Sequence, residues 1–129
     1  LESDKKANDY QVGGEHYQAK FQHWDLAAHN HLGYFEGQVT KYVTRWRKKN
    51  GLQDLDKAMH YLQKLIESIR DGVLPLPKYR WAQQLEIFSV QNGLAAAEKE
   101  VVCLMLCYTT VVELEDAMDR IKELKEKAQ

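Results

Sequence analysis

KYVTRWRKKNGLQDLDKAMHYLQKLI, residues 41–66, decides the fold. It contains two amphipathic runs separated by one turn. Upstream to Leu32, the residues Phe35, Val39, Tyr42, Val43 and Trp46 recur at spacings of three and four, the stripe of a helix ending near Lys48. Downstream, Leu55, Ala58, Met59, Leu62, Leu65, Ile66 and Ile69 make a second stripe from about Gln53 to Arg70. Lys48 and Lys49 suit the negative end of the first helix, and Asn50-Gly51 caps it. So short a connection predicts an antiparallel hairpin.

The flanking sequence extends this pattern. Residues 1–12 are polar and aperiodic, which predicts a flexible arm. Phe21, Trp24 and Leu26 can pack as a short helix or turn. DGVLPLPKYR, residues 71–80, holds both prolines and predicts a linker or an extended strap. Further helices are expected over Trp81–Val90, Ala95–Tyr108 and Val112–Lys127, with breaks at Asn92-Gly93 and Thr109-Thr110. No segment alternates strongly with period two. The expected fold is all-α: two helical hairpins, 13–70 and 81–129, packed as a small bundle with an N-terminal arm.

The chain has 129 residues, 44% hydrophobic and 29% charged, a balance that suits one soluble globular core. Eighteen Lys and Arg face nineteen Asp and Glu, for a net charge of −1. That balance argues against a general duplex-DNA binder, so any anion site must be a local patch. No apolar run reaches membrane-span length and no secretory signal opens the chain, which predicts no membrane partner and a cytoplasmic location. Cys103 and Cys107, four apart in an apolar run, read as small buried residues.

The halves repeat. Moved by 62 positions, Asn30, Leu32, Glu36, Val39 and Trp46 fall on Asn92, Leu94, Glu98, Val101 and Tyr108. After a three-residue deletion at the turn, Asp54, Leu55, Ala58, Met59, Leu62 and Leu65 fall on Glu113, Leu114, Ala117, Met118, Ile121 and Leu124. The repeat predicts an internal duplication, with Ala58, Met59 and Leu62 buried like Ala117, Met118 and Ile121.

Lys41, Arg45 and Lys48 share one helical stripe in the first half, and the second half has no counterpart. The stripe is either solvated charge or a grip for phosphate oxygens, with Tyr34, Tyr42 or Trp46 placed to stack on a base. Its absence from the copy favours an added task. GGEHY, residues 13–17, can cradle phosphate on backbone N–H groups, with His16 donating or carrying a proton. There is no GxxxxGK[ST], so no P-loop. The five histidines lack metal-site spacing, and no resident metal is expected. HNH, residues 29–31, reads as a polar helix start with Asn30 as N-cap. Glu36, matched by Glu98, reads as a capping residue, and Asp54 either serves a helix dipole or contacts Mg²⁺ that arrives with a nucleotide.

GGEHY, Trp24 and then GQVTKYVTRWRKKNGLQDLDKAMHYLQKLI together resemble the SaV-like family of small phage proteins. The matching positions are Gly13, Gly14, His16, Tyr17, Trp24, Gly37, Lys41, Tyr42, Arg45, Lys48, Gly51, Asp54, Leu55, Lys57, Ala58, Tyr61, Leu62 and Ile66. Gln38 stands where the family often has Asn, and the amide is kept. The likeness covers roughly residues 13–69. It implies a bacteriophage origin and the cytoplasm of an infected host. The family includes a phage kinase that phosphorylates deoxynucleoside monophosphates without a P-loop, so the likeness implies a nucleotide kinase working with Mg²⁺.

On this reading Lys41, Arg45 and Lys48 hold phosphates, Gly13, Gly14 and His16 close the site, and Tyr17, Tyr42 and Lys57 complete the binding set. Asp54 and His16 are the candidates for catalysis. The alternatives are a phage protein that sequesters a nucleotide defence signal without turnover, and one that grips a host protein. One hairpin is too narrow to enclose a nucleotide, which predicts a homo-oligomer.

Overall fold

A computed structural model describes residues 6–10, 12 and 20–129. Six α-helices follow a short 3-10 turn, Ala7–Asp9: α1 His23–Asn30, α2 Tyr34–Arg45, α3 Leu52–Arg70, α4 Leu85–Gln91, α5 Ala96–Cys107 and α6 Val111–Ala128. Among the described residues there is no strand, and no helix is long and apolar enough to cross a membrane. The fold is all-α, as the periodicity predicts.

Helices α2 and α3 form the first hairpin, and α5 and α6 the second. Helix α2 packs on α5, and α3 on α6. Both pairs are antiparallel. Arg70 at the end of α3 meets Glu115 near the start of α6 at 2.8 Å, and Lys125 near the end of α6 pairs with Asp56 near the start of α3. The centre is filled by Val39, Val43, Leu55, Leu62, Val101, Met105, Leu114 and Ile121, all fully buried. Each such aliphatic side chain contributes about 1.5–3 kcal/mol over its exposed state.

The repeat found in the sequence is built into the hydrogen bonds. The buried Glu36 accepts from the Tyr108 hydroxyl at 2.6 Å, and the buried Glu98 accepts from the Trp46 indole N–H at 3.0 Å. Glu36 and Glu98 are equivalent positions, as are Trp46 and Tyr108, so each half supplies a carboxylate to the other's aromatic donor. Asn30 Nδ2 donates to Leu26 O and to Gln83 O. Asn92, its counterpart, donates to Phe88 O and to Phe21 O. The turns after α1 and α4 also match. His31 takes φ +50° where Gly93 takes φ +65°, and Leu32 and Leu94 bond back to Ala27 O and Ser89 O. The N–H of Asn50 reaches Asp54, and the N–H of Thr109 reaches Glu113, at equivalent positions again. Ala58, Leu62, Ala117 and Ile121 are buried as expected, while Met59 and Met118 are both only half-buried against the core.

Several expectations change. Glu36 and Glu98 do not cap helices; they join the halves. Asn30 is not an N-cap but ends α1 and ties it to the chain before α4; Gly33 precedes α2. Helix α4 starts at Leu85, not Trp81, because Asn30 takes both the N–H and the carbonyl of Gln83 and Gln84 turns to φ +61°. Helix α2 stops at Arg45, and the turn through Lys48 closes with Gly51 N–H on Trp46 O at φ +57°, which glycine adopts without strain. Part of the expected arm is pinned: Asn8 accepts from Trp24 Nε1 and donates to Asp25, both at 2.6 Å. Cys103 and Cys107 are free and half-buried, and Cys107 Sγ donates to Cys103 O.

Removing one crossed bond strands a buried acceptor. Tyr108→Phe should therefore cost about 1–3 kcal/mol in urea unfolding. A loss below a few tenths of a kcal/mol would mean that the Glu36–Tyr108 bond does not hold the halves.

Candidate functional site

The cations converge where the stripe of α2 faces the start of α3. Tyr42 lies on the core edge of α2 and is buried. Its ring centre is 5.0 Å from Lys41 Nζ, 4.7 Å from Arg45 Cζ and 5.3 Å from Lys57 Nζ. Lys41 and Arg45 come from α2, and Lys57 crosses from α3. Tyr61 stacks on Tyr42 at 5.9 Å with the planes 9° apart, and Tyr34 meets Tyr61 edge-on, also at 5.9 Å. Tyr34 is 64% exposed, so the ladder of three rings runs from the buried Tyr42, with its half-buried cations, out to solvent.

Among the described residues one counter-charge pairs with the cluster. Asp54 is fully buried and takes Arg45 in a two-pronged pair, Nε to Oδ2 and a terminal nitrogen to Oδ1, each at 3.2 Å. Oδ2 also accepts the Asn50 N–H at 3.2 Å. Burial pushes the Asp54 carboxyl up, but the hydrogen bonds from Arg45 and Asn50 and the guanidinium charge outweigh it and hold the group below the usual carboxylate range. Asp54 thus has both oxygens engaged and clamps the hairpin, orienting Arg45.

Among the described residues no carboxylate pairs with Lys41 or Lys57. Cations no more than 5.3 Å from one ring centre are at most about 10 Å apart and repel by at least roughly 1–2 kcal/mol at an effective dielectric near 20. The ring faces attract each cation by about 0.5–2 kcal/mol, which keeps the cluster together and leaves it short of negative charge. A phosphate monoester, at about −1.5 to −2, matches two ammonium groups.

His23 borders this face from α1. Thr40 Oγ1 lies 2.9 Å from Glu36 O and 3.1 Å from Gly37 O, so it donates back along α2 and accepts from His23 Nε2 at 2.7 Å. That network assigns the proton to Nε2. Burial first, and the Lys41 charge second, lower the His23 pKa to about 4.

Of the residues expected from the sequence, Lys41, Tyr42, Arg45 and Lys57 come together. Lys48 does not stay on the stripe; it lies exposed in the turn after α2. Trp46 is unavailable for stacking, since it is buried, bonded to Glu98 and covered by Arg47 at 4.4 Å. Gly13, Gly14, His16 and Tyr17 lie outside the described residues. Sequence reasoning gave Tyr61 and His23 no role at the site. Tyr61 is four residues beyond Lys57, one turn along the same helix, and that spacing was the available signal.

Comparison with known proteins adds one finding. The profile of a family matches. It covers residues 12–63, less than half of the chain, and is described as a protein of unknown function (DUF3310). No curated protein and no solved structure matches the chain. The matched stretch spans the cation cluster and ends within α3.

The His23 shift has a definite sign. Between pH 6.5 and about 4 the unfolded chain binds a proton at His23 that the folded chain does not. Stability should therefore fall as pH is lowered through that window, with a His23 contribution of about 1.4 kcal/mol per unit. His23→Leu, matching Leu85 of the second half, should flatten the stability–pH curve by that amount. An unchanged slope in denaturant titrations would contradict the assignment.

Proposed function

We propose that the protein binds a nucleotide, holding its phosphate between Lys41 and Lys57 with Arg45 beside them and laying its base toward Tyr34. The observation that carries this reading is the set of three cations within 5.3 Å of one tyrosine ring, with a single buried carboxylate paired to them among the described residues. Ammonium groups grip phosphate as point charges, and an exposed ring offers a face to any base. The second half supports the reading by contrast. Cys103, Leu104, Cys107 and Asp116 stand at the places of Lys41, Tyr42, Arg45 and Lys57. A scaffold needing charge there for solubility alone would need it in both halves.

The likeness to SaV-like phage proteins makes phosphoryl transfer to a nucleoside monophosphate the reaction to look for, with Mg²⁺ arriving on the donor nucleotide. Holding without turnover is the simpler reading of these side chains, because Asp54, the carboxylate that pairs with Arg45, is spent on Arg45 and Asn50. A sequestering phage protein and a homo-oligomer in the host cytoplasm remain part of the proposal.

Calorimetry with nucleoside mono- and triphosphates tests the site. Lys41→Ala and Lys57→Ala should each weaken binding about tenfold or more, since a charge-assisted phosphate contact contributes about 1.5–3 kcal/mol. Unchanged affinity in both variants, or no binding by the parent protein, would overturn the reading. Labelled nucleoside triphosphate then separates the two forms: transfer of label to a monophosphate marks a kinase, and stoichiometric retention marks a holder.

A further inference from the structure

The internal repeat supplies a comparison that points to a second site. Glu98 and Glu36 are equivalent buried carboxylates, yet they are neutralised differently. Glu98 accepts from Trp46 and also from Arg47 Nε at 2.6 Å, so a guanidinium offsets its charge. Glu36 accepts from Tyr108 through Oε2, and among the described residues nothing donates to its Oε1. Arg47 belongs to the three turn residues that the first half has and the second lacks, so the second half has no counterpart to donate to Glu36. Arg80 lies over the Tyr108 ring at 5.4 Å and donates to Met105 O, and it does not pair with Glu36.

Where the first half lacks its cation, the structure has a cavity of about 190 Å³. Glu36 and Tyr108 form part of its wall, and Tyr34, Phe35, Leu74, Pro75 and Pro77 form much of the rest. Glu36 is only 8% exposed. Gly33 leaves room for the unbonded oxygen, since a Cβ there would sit 2.8 Å from Oε1. The chemistry is a carboxylate within aromatic and proline walls. Such a lining suits a cation with apolar flanks, held by charge-assisted hydrogen bonds and by ring faces. An anion or a neutral apolar group would leave the carboxylate uncompensated.

We infer that the cavity beside Glu36 is a binding site for a guanidinium or primary ammonium group, taking the place that Arg47 fills beside Glu98. The site shares Tyr34 with the tyrosine ladder but none of the three cations around Tyr42, and it does not rest on the nucleotide reading. The group can arrive on a free small amine or on an arginine or lysine side chain of another protein molecule; the chemistry is the same.

Ethylguanidinium and its neutral isostere ethylurea are the probes, titrated at millimolar concentration and followed by the amide resonances of residues 33–36, Leu74, Leu76 and Tyr108. Saturable shifts at these residues with ethylguanidinium, and at least tenfold weaker binding of ethylurea, are expected. Glu36→Gln, which keeps an acceptor for Tyr108, should abolish the preference. Agmatine and N-acetylarginine methylamide then distinguish the sources: tighter binding of agmatine favours a free amine, and tighter binding of the capped arginine favours a protein side chain. No saturable shift with ethylguanidinium, equal response to the two isosteres, or shifts mapping elsewhere would each overturn the site. The isostere comparison on the parent protein stands even if Glu36→Gln does not fold.

Discussion

Two carboxylates buried between the halves set the terms for the whole molecule. Glu36 and Glu98 are each under a tenth exposed, and burying an ionised carboxylate costs several kcal/mol unless donors meet it. Each finds its aromatic donor only on the other half, at Tyr108 and Trp46. Neither hairpin can satisfy its own acid. The crossed bonds fix α2 against α5 in antiparallel register, and the α3–α6 pair closes the bundle with Asp56–Lys125 and Glu115–Arg70. The Asn30 and Asn92 clasps then lock α1 and α4 onto the ends of the same frame.

A frame with this internal symmetry makes the asymmetries informative. His23, Thr40, Lys41, Tyr42, Arg45, Lys57 and Tyr61 cluster on one face of the first half. Their counterparts are Leu85, Val102, Cys103, Leu104, Cys107, Asp116 and Arg120. The second face is apolar or internally paired, with Arg120 reaching Asp116 and Glu100. One half thus supplies packing and the other adds charge, which is why the proposed ligand site is put on α2 and α3. Arg47, in the three turn residues that the second half lacks, is the same kind of divergence, and a cavity lies beside Glu36 where no such cation reaches.

The helices of both hairpins were legible because their apolar stripes recur at three and four and end at Gly or Thr-Thr breaks. Trp81–Gln84 was misread as helix because the bonds that hold Gln83 out of a helix come from Asn30, 53 residues away. Glu36 was misread because an acid in the first turn of a helix satisfies the dipole rule whether or not it points into the core, and its partner lies 72 residues on. The alignment of Glu36, Trp46, Glu98 and Tyr108 already contained the crossed pairs; only the antiparallel packing of the halves was missing. For the site, Lys41, Tyr42 and Arg45 followed from helical spacing. Lys57 came from the family likeness alone, since nothing in one helix tells which cation of the next will cross to it. Lys48 left the stripe because Gly51 closes the turn a residue pattern cannot time.

The central claim is that the cationic face of the first half, and not its counterpart in the second, takes a phosphorylated ligand. The most direct measurement is a residue-resolved NMR titration with a nucleoside monophosphate. The account predicts saturable shifts at Tyr34, Lys41, Tyr42, Lys57 and Tyr61, with Cys103, Leu104, Cys107, Asp116 and Arg120 unmoved. Equal shifts on both faces, or none at Lys41 and Lys57, would contradict it.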